Sequence, residues 1–223
     1  MPRPRRRMLS AELIADAAMQ LADSGRPFGV NATARALGVT PSSLYHHVSG
    51  LDEIIELMRG RLMDRYAVDP LPEAWEGAVR EIVRRQRQMY GEHPFLVPYI
   101  VGKAVADPRT LDWYDRIADV LSSAGFPDDQ VLVALTAIDA LGLGFGLDLA
   151  GPEAAWGTAD GVEDLGRAVA AAPAGRARSE EAFEWALAML IDGLRTRLKQ
   201  AGRAAPRAGR TGPGEGDTPG GAP

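Results

Sequence analysis

Residues 34–48, Ala34-Arg35-Ala36-Leu37-Gly38-Val39-Thr40-Pro41-Ser42-Ser43-Leu44-Tyr45-His46-His47-Val48, read as a short helix, a tight turn and a second short helix. Leu37 closes the first helix on an apolar residue, and Gly38 supplies the positive φ that the turn requires. Val39 is the apolar peg of the turn. Thr40 is a strong N-cap, its hydroxyl placed to accept a first-turn backbone N–H, and Pro41 follows at the first helical position, where a missing donor costs nothing. Leu44 and Val48, four residues apart, define an inward stripe. Ser42, Ser43, Tyr45 and His46 cannot all share that stripe, so several face outward. A short helix with small hydroxyls and an aromatic at its exposed N-terminal end fits the major groove of DNA.

Helices flank this string on both sides. Ser10 caps a helix running to about Ser24, with Glu12 in its first turn and Ile14, Ala17, Ala18 and Leu21 on one buried stripe. Ser24-Gly25-Arg26-Pro27 ends it, Phe28 plugs the core of the small domain, and Asn31 to Leu37 form the second helix. After Val48, Ser49-Gly50-Leu51-Asp52 has the spacing of a capping box. Leu51, Ile54, Ile55, Met58 and Leu62 mark the buried stripe of a fourth helix to about Tyr66, with Arg59, Arg61 and Arg65 as its solvated face.

From Leu9 to Tyr66, including Leu44-Tyr45-His46-His47-Val48 and Asp52-Glu53-Ile54-Ile55, the chain resembles the DNA-binding half of the tetracycline-repressor (TetR) family. The resemblance implies an all-α protein. An N-terminal three-helix helix-turn-helix DNA-binding domain over 9–66 is joined by a linking helix to a helical ligand-binding and dimerisation domain over 70–199. It also implies a homodimer on a double-stranded, near-palindromic DNA operator, acting as a repressor that a small-molecule effector releases. Two positions depart from the family pattern: Asn31 stands where an arginine is common, and Leu51 where a lysine is common, both usual phosphate partners. The expected DNA-binding set is Asn31, Thr40, Pro41, Ser42, Ser43, Tyr45, His46 and His47. Within it, Ser42 and Ser43 offer hydroxyls to base edges or phosphates, Tyr45 packs on or donates to the sugar–phosphate backbone, and His47 donates to phosphate, as its place in the family motif suggests. With few long polar side chains in this set, water and DNA shape carry much of the specificity.

The chain has 223 residues, 46% of them apolar, enough for one or two packed domains. It has no cysteine, which rules out disulfides and thiolate metal sites and fits a reducing cytoplasm. No stretch approaches the roughly 20 apolar residues of a membrane helix. The net charge of −5 is divided: residues 1–66 carry nine arginines against seven carboxylates, +2, and the remainder 16 basic against 23 acidic residues, −7. A mildly basic N-terminal unit on an acidic body fits a DNA reader joined to a part that does not touch DNA. Arg3, Arg5, Arg6 and Arg7, spaced by prolines, form a disordered arm over 1–8, either a phosphate or minor-groove contact or a solvated tail. Glu12 and Asp16 interrupt the apolar residues after the arm, so it is no signal peptide.

Beyond the linker Val68-Asp69-Pro70-Leu71-Pro72, Trp75 to Tyr90 is an amphipathic helix with Trp75, Val79, Ile82, Val83 and Met89 apolar. His93-Pro94 breaks it, the histidine satisfying helix-end carbonyls. Phe95 to Val105 is a kinked or short helical piece, Pro108 to Ala124 a helix, and Asp128 to Leu149 a long helix whose Ala134, Ala137, Ala140, Gly142, Gly144 and Gly146 admit close approach of another. Residues 151–179 form a long connection with a helical turn or two at Leu165 to Ala172. Ser179 caps the last helix, and 200–223 is a disordered tail rich in glycine and proline. Trp75, His93-Pro94 and Ala124-Gly125-Phe126 resemble, more weakly, the family's C-terminal domain, and that resemblance implies that 128–149 and 179–199 pair across a dimer as a four-helix bundle.

Catalytic chemistry is not expected. His46, His47 and His93 are the only histidines; the first two are adjacent and point to different faces of a helix. No nucleophile elbow, phosphate loop or two-histidine zinc helix occurs in the sequence, and neither a metal, a cofactor nor a membrane partner is expected. The histidine-held magnesium–drug complex of tetracycline repressors has no matching constellation here. Candidate ligand contacts are Met89, Phe95, Tyr99, Trp113, Tyr114 and Phe145, with Asp139, the one acid in an apolar helical stretch, placed to orient a polar or cationic ligand. The competing reading is a DNA-binding regulator whose C-terminal half serves only dimerisation or a protein partner. An enclosed cavity between residues 75 and 149 separates the two.

Overall fold

The structure, a computed structural model, describes residues 9–154, 156–157 and 161–204. The arginine arm at residues 3–7 and the tail beyond residue 204 lie outside the described residues. All regular structure among the described residues is helical: α1 (Ala11–Asp23), α2 (Val30–Leu37), α3 (Pro41–Tyr45), α4 (Leu51–Arg65), α5 (Trp75–Glu92), α6 (Val97–Ile100), α7 (Pro108–Ser123), α8 (Asp128–Leu149), α9 (Glu163–Ala171) and α10 (Gly175–Ala204), with a 3₁₀ turn at Pro94–Leu96 before α6.

Local chemistry fixes the N-terminal helices. Ser10 Oγ accepts from Leu13 N–H and caps α1, whose Ile14, Ala18, Met19 and Ala22 are buried. Gly38 ends α2 at φ 68°, ψ 29°, and Thr40 Oγ1 accepts from Ser43 N–H at 3.2 Å to start α3. Leu44 and Val48 are sealed into the core at 0% and 2% exposure. Phe28 is half-buried rather than a central plug, its ring meeting the Tyr99 edge at 4.7 Å between centroids.

The start of α4 differs from expectation. Gly50 is the N-cap, Glu53 rather than Asp52 reaches back to accept Ser49 N–H at 2.6 Å, and Leu51 is exposed instead of opening the buried stripe. A box needs its carboxylate three residues past the cap, and the cap is one residue later than the sequence spacing suggested.

The core does not stop at the expected boundary near residue 66. Ile14, Ala34, Leu44, Ile54, Met58 and Leu62 of the first four helices form one buried cluster with Met89, Tyr90, Leu96 and Val97. A second cluster joins α5, α7, α8 and α10 through Val79, Ile82, Ile117, Leu121, Ile138, Phe183 and Leu187. Between α5 and α8 the backbones nearly touch. A Cβ on Gly142 would lie 2.6 Å from Gln86 Cβ, and one on Gly146 would lie 2.5 Å from Tyr90 Cβ. Only glycine permits that approach.

Helix α8 has a mean hydropathy of 1.7 over 18 residues, long and apolar enough by composition to cross a membrane, against the expectation that no stretch approaches this. It is one face of the second core cluster, and Asp139 within it is hydrogen-bonded to α5. The last helix begins at Gly175 and runs to Ala204, longer at both ends than expected. Ser179 is therefore an interior residue, only 3% exposed, whose Oγ accepts from Arg87 Nη2. Arg87 also pairs with Glu180 at 2.7 Å and lies over the Phe183 ring at 4.2 Å, tying α5 to α10.

Candidate functional site: an exposed reading helix and a cavity

The outward face of α3 is built by the turn that precedes it. Thr40, Pro41, Ser42, Ser43, Tyr45, His46 and His47 are all exposed, as is Asn31 at the start of α2, and Tyr45 is 55% exposed. The hydroxyls of Ser42 and Ser43 each lie 2.9 Å from Thr40 Oγ1, so three hydroxyls form one cluster at the helix start. Helix α3 ends at Tyr45, with His46 and His47 in a following turn whose Val48 N–H still reaches Leu44 C=O. Arg35, exposed in the last turn of α2, is a cation of the helix-turn-helix string that the sequence pattern did not single out. Its arginine identity within the opening motif was the available signal.

The cavity lies where α4, α5, α7, α8 and the loop after α6 meet, with a volume of about 270 Å³. Of the candidate ligand residues, Met89, Tyr114 and Asp139 line it. Phe95 and Tyr99 do not; both are exposed, at 52% and 38%, because the Pro94–Leu96 turn and α6 carry them outward. Trp113 packs edge-on against Tyr114 outside the lining, and Phe145 packs on Phe183 in the second core. Asp139 is hydrogen-bonded by protein groups on both oxygens. Its two oxygens accept from Gln86 Nε2 at 2.7 Å and from the Tyr114 hydroxyl at 3.2 Å. Burial raises its pKa above the ordinary carboxylate range, and burial likewise raises the Tyr90 and Tyr114 phenols, which stay protonated.

Arg59, expected on a solvated face, is instead 5% exposed in the cavity wall. Its Nη2 donates to Ile100 C=O at 3.1 Å, and its Nη1 stands 3.4 Å from Glu56 Oε1 without a hydrogen-bond partner. The signal was spacing: Arg59 is four residues past Ile55 and three before Leu62, on the edge of the buried stripe. Tyr90 and Thr110 also line the cavity and were not anticipated.

His93 does not cap carbonyls with its ring. Its Nδ1 meets the Asp23 carboxylate at 2.9 Å and its Nε2 the Tyr66 hydroxyl at 3.1 Å, while that hydroxyl donates to Glu92 at 2.5 Å. The end of α1 is thereby fastened directly to the end of α5, and Tyr66, the C-cap of α4, is tied to the same end of α5. Among the described residues, no group of three or more histidines and carboxylates is placed to hold a metal ion.

Residues 69–198 match the family described as tetracyclin repressor-like, C-terminal domain. The chain is similar to the HTH-type transcriptional repressor DrrR1 of Streptomyces coeruleorubidus, 25% identical over 135 residues, which are 59% of this chain and 50% of that protein. It thus spans about half the length of that curated relative. Its fold is similar to apo ActR from Streptomyces coelicolor, with a TM-score of 0.71, 21% identity, and coverage of 88% of this chain and 98% of that one. ActR in complex with actinorhodin gives a TM-score of 0.66 at 21% identity, covering 85% and 97%.

Proposed function

The chain belongs to the tetracycline-repressor family of helix-turn-helix transcriptional regulators, and from that premise we propose that it is a dimeric repressor which leaves its operator when a small molecule fills the cavity between α4, α5, α7 and α8. The observation that carries the reading is the outward hydroxyl, aromatic and histidine face from Thr40 to His47, held on a buried Leu44 and Val48. Ser42 and Ser43 face base edges or phosphates, Tyr45 lies along the backbone, and His47 and Thr40 donate to phosphates, with Arg35 as a cation of the same string. Asn31, Pro41 and His46 flank the same contact.

A dimer is supported by the unpartnered apolar face of α8 and α10. Leu132, Val133 and Trp185 are 71%, 70% and 70% exposed and Met189 is 55% exposed, an arrangement that costs free energy in an isolated chain. Twofold pairing there sets two copies of α3 about 34–36 Å apart, or a multiple, as two half-sites of a near-palindrome require. Residues 70–199, together with Arg59, Leu62 and Met63 of α4, hold the effector, and α8 and α10 carry the dimer face. The ligand reading is supported over a purely structural C-terminal half by the cavity. ActR, similar in fold, is known in complex with actinorhodin.

Footprinting on the DNA upstream of the chain's own gene, repeated with candidate effectors, tests this. Protection of a symmetric site that a small molecule relieves is the expected result. No protection overturns the reading, and protection that no compound relieves transfers the C-terminal half to a dimerisation or protein-binding role.

A further inference from the structure

Helix α10 presents one row of residues at a spacing of four: Glu181, Trp185, Met189, Gly193 and Arg197, all of them exposed. Residues four apart form a ridge on a helix surface. The row is complementary to itself about its centre. Four residues before Met189 stands the largest side chain, and four after it stands none. Eight before it is an anion, and eight after it a cation. Glu181 and Arg197 have no ion-pair partner among the described residues, whereas Glu180, Glu184, Asp192 and Arg195 of the same helix are all paired. A Cβ on Gly193 would meet nothing within 4 Å. Beside it an apolar groove of about 480 Å³ runs between α8 and α10, walled by Val133, Ala137, Met189 and Leu190.

Resting on the reading of the α8 and α10 face as a dimer surface, we propose that α10 recognises its own copy in one register. The two helices cross antiparallel about a twofold axis at Met189, each Trp185 enters the groove beside the partner's Gly193, and each Glu181 pairs with the partner's Arg197. In a twofold contact residue i meets j and j meets i, so an antiparallel crossing centred on Met189 matches positions equally far before and after it. An indole then meets an open notch and a carboxylate meets a guanidinium, each match made twice. Ridges of this spacing cross at roughly 50°. Other registers fail on charge or volume. Parallel helices set Glu181 on Glu181, Trp185 on Trp185 and Arg197 on Arg197. An axis at Trp185 stacks the two indoles and strands Glu181 against Met189. An axis at Gly193 sets Met189 against Arg197 and carries Trp185 past the groove to Ala201. The ion pairs lie at the wet rim, so they select the register more than they add affinity.

The chain has no cysteine, so single thiols introduced into the full chain report the axis directly. Met189→Cys should form a disulfide-linked dimer under mild oxidation, because positions facing each other across the axis come within disulfide reach. Trp185→Cys and Gly193→Cys should each stay unlinked alone, their mates lying about 12 Å apart along the helices, and should link when the two variants are mixed. Glu181→Arg and Arg197→Glu should each raise the dimer Kd by about tenfold in sedimentation velocity. Mixing those two variants should restore the parental Kd as a heterodimer, since the mixed dimer alone regains both opposite-charge pairs. All five positions are exposed, so each variant should melt as the parent does. A dimer in which Met189→Cys stays unlinked, in which Trp185→Cys links to itself, or in which mixing the charge variants restores nothing overturns the register and leaves the dimer reading standing. A parent protein that is monomeric at micromolar concentration overturns both.

Discussion

Leu44 and Tyr45 are neighbours in sequence and opposites in burial, at 0% and 55% exposure. Leu44→Ala should cost about 2–5 kcal/mol of folding stability, measured by urea denaturation, because the cavity it leaves sits among α1, α2 and α4. Tyr45→Ala should leave that stability within about 0.5 kcal/mol. In the proposed complex it should weaken operator affinity by about tenfold in gel-shift titration. A Tyr45→Ala variant that binds operator normally would remove α3 from the interface. Residue-scale reading succeeded where one local rule governed one atom, as at Gly38 and Thr40, and it failed where a distant element decided. Nothing near Arg59 in sequence announces Ile100, and His93 finds Asp23 across 70 residues. Phe95 and Tyr99 misled because aromatic content alone does not say which side of a short turn faces inward.

The helices were legible as elements because their apolar residues recur at helical spacing, and their boundaries were less so because caps are settled by which side chain reaches which N–H. Glu53 displaced Asp52 at α4 by that margin. Glycine content in α8 read as close approach, and Gly142 and Gly146 show against what: α5. Gly146→Val forces a side chain against Tyr90 and the Arg87 carbonyl and should destabilise by about 1–3 kcal/mol, visible as a lowered denaturation midpoint with unchanged helical content at low temperature.

Two carboxylates on these elements give opposite pH dependences. Glu92 is held below the usual range by the Tyr66 hydroxyl first and Gln88 second, so its contribution is full above the unfolded pKa and disappears as pH falls through the folded value. Asp139, raised by burial, contributes fully below the unfolded pKa, and that contribution is lost as pH rises through the folded value. Melting scans across pH should therefore find Asp139→Asn more stable than the parent at neutral pH and level with it near about pH 3, and Tyr66→Phe less stable at neutral pH with a shallower acid slope.

At the scale of the whole molecule, family and helical architecture followed from the sequence pattern, whereas the cavity's lining did not, since it is assembled from α4, α5, α7, α8 and a loop distant in sequence. The exposed α8 and α10 face makes the prediction proper to this scale. Trp185→Glu should convert the proposed dimer to a monomer in sedimentation velocity and abolish operator binding, while leaving the core formed by Phe183 and Leu187 intact. A monomer in the parent protein at micromolar concentration would refute it.

The first buried cluster carries α1 to α4 and the Met89–Val97 region in a single unit, and Asp23, His93 and Tyr66 stitch its margin. The reading head is therefore no detachable cassette. A hybrid that transplants residues 9–66 onto another sensor will strip Ile54, Met58 and Leu62 of the partners that cover them, and it will work only if the recipient's fifth helix and the turn after it are recut to the donor's shape.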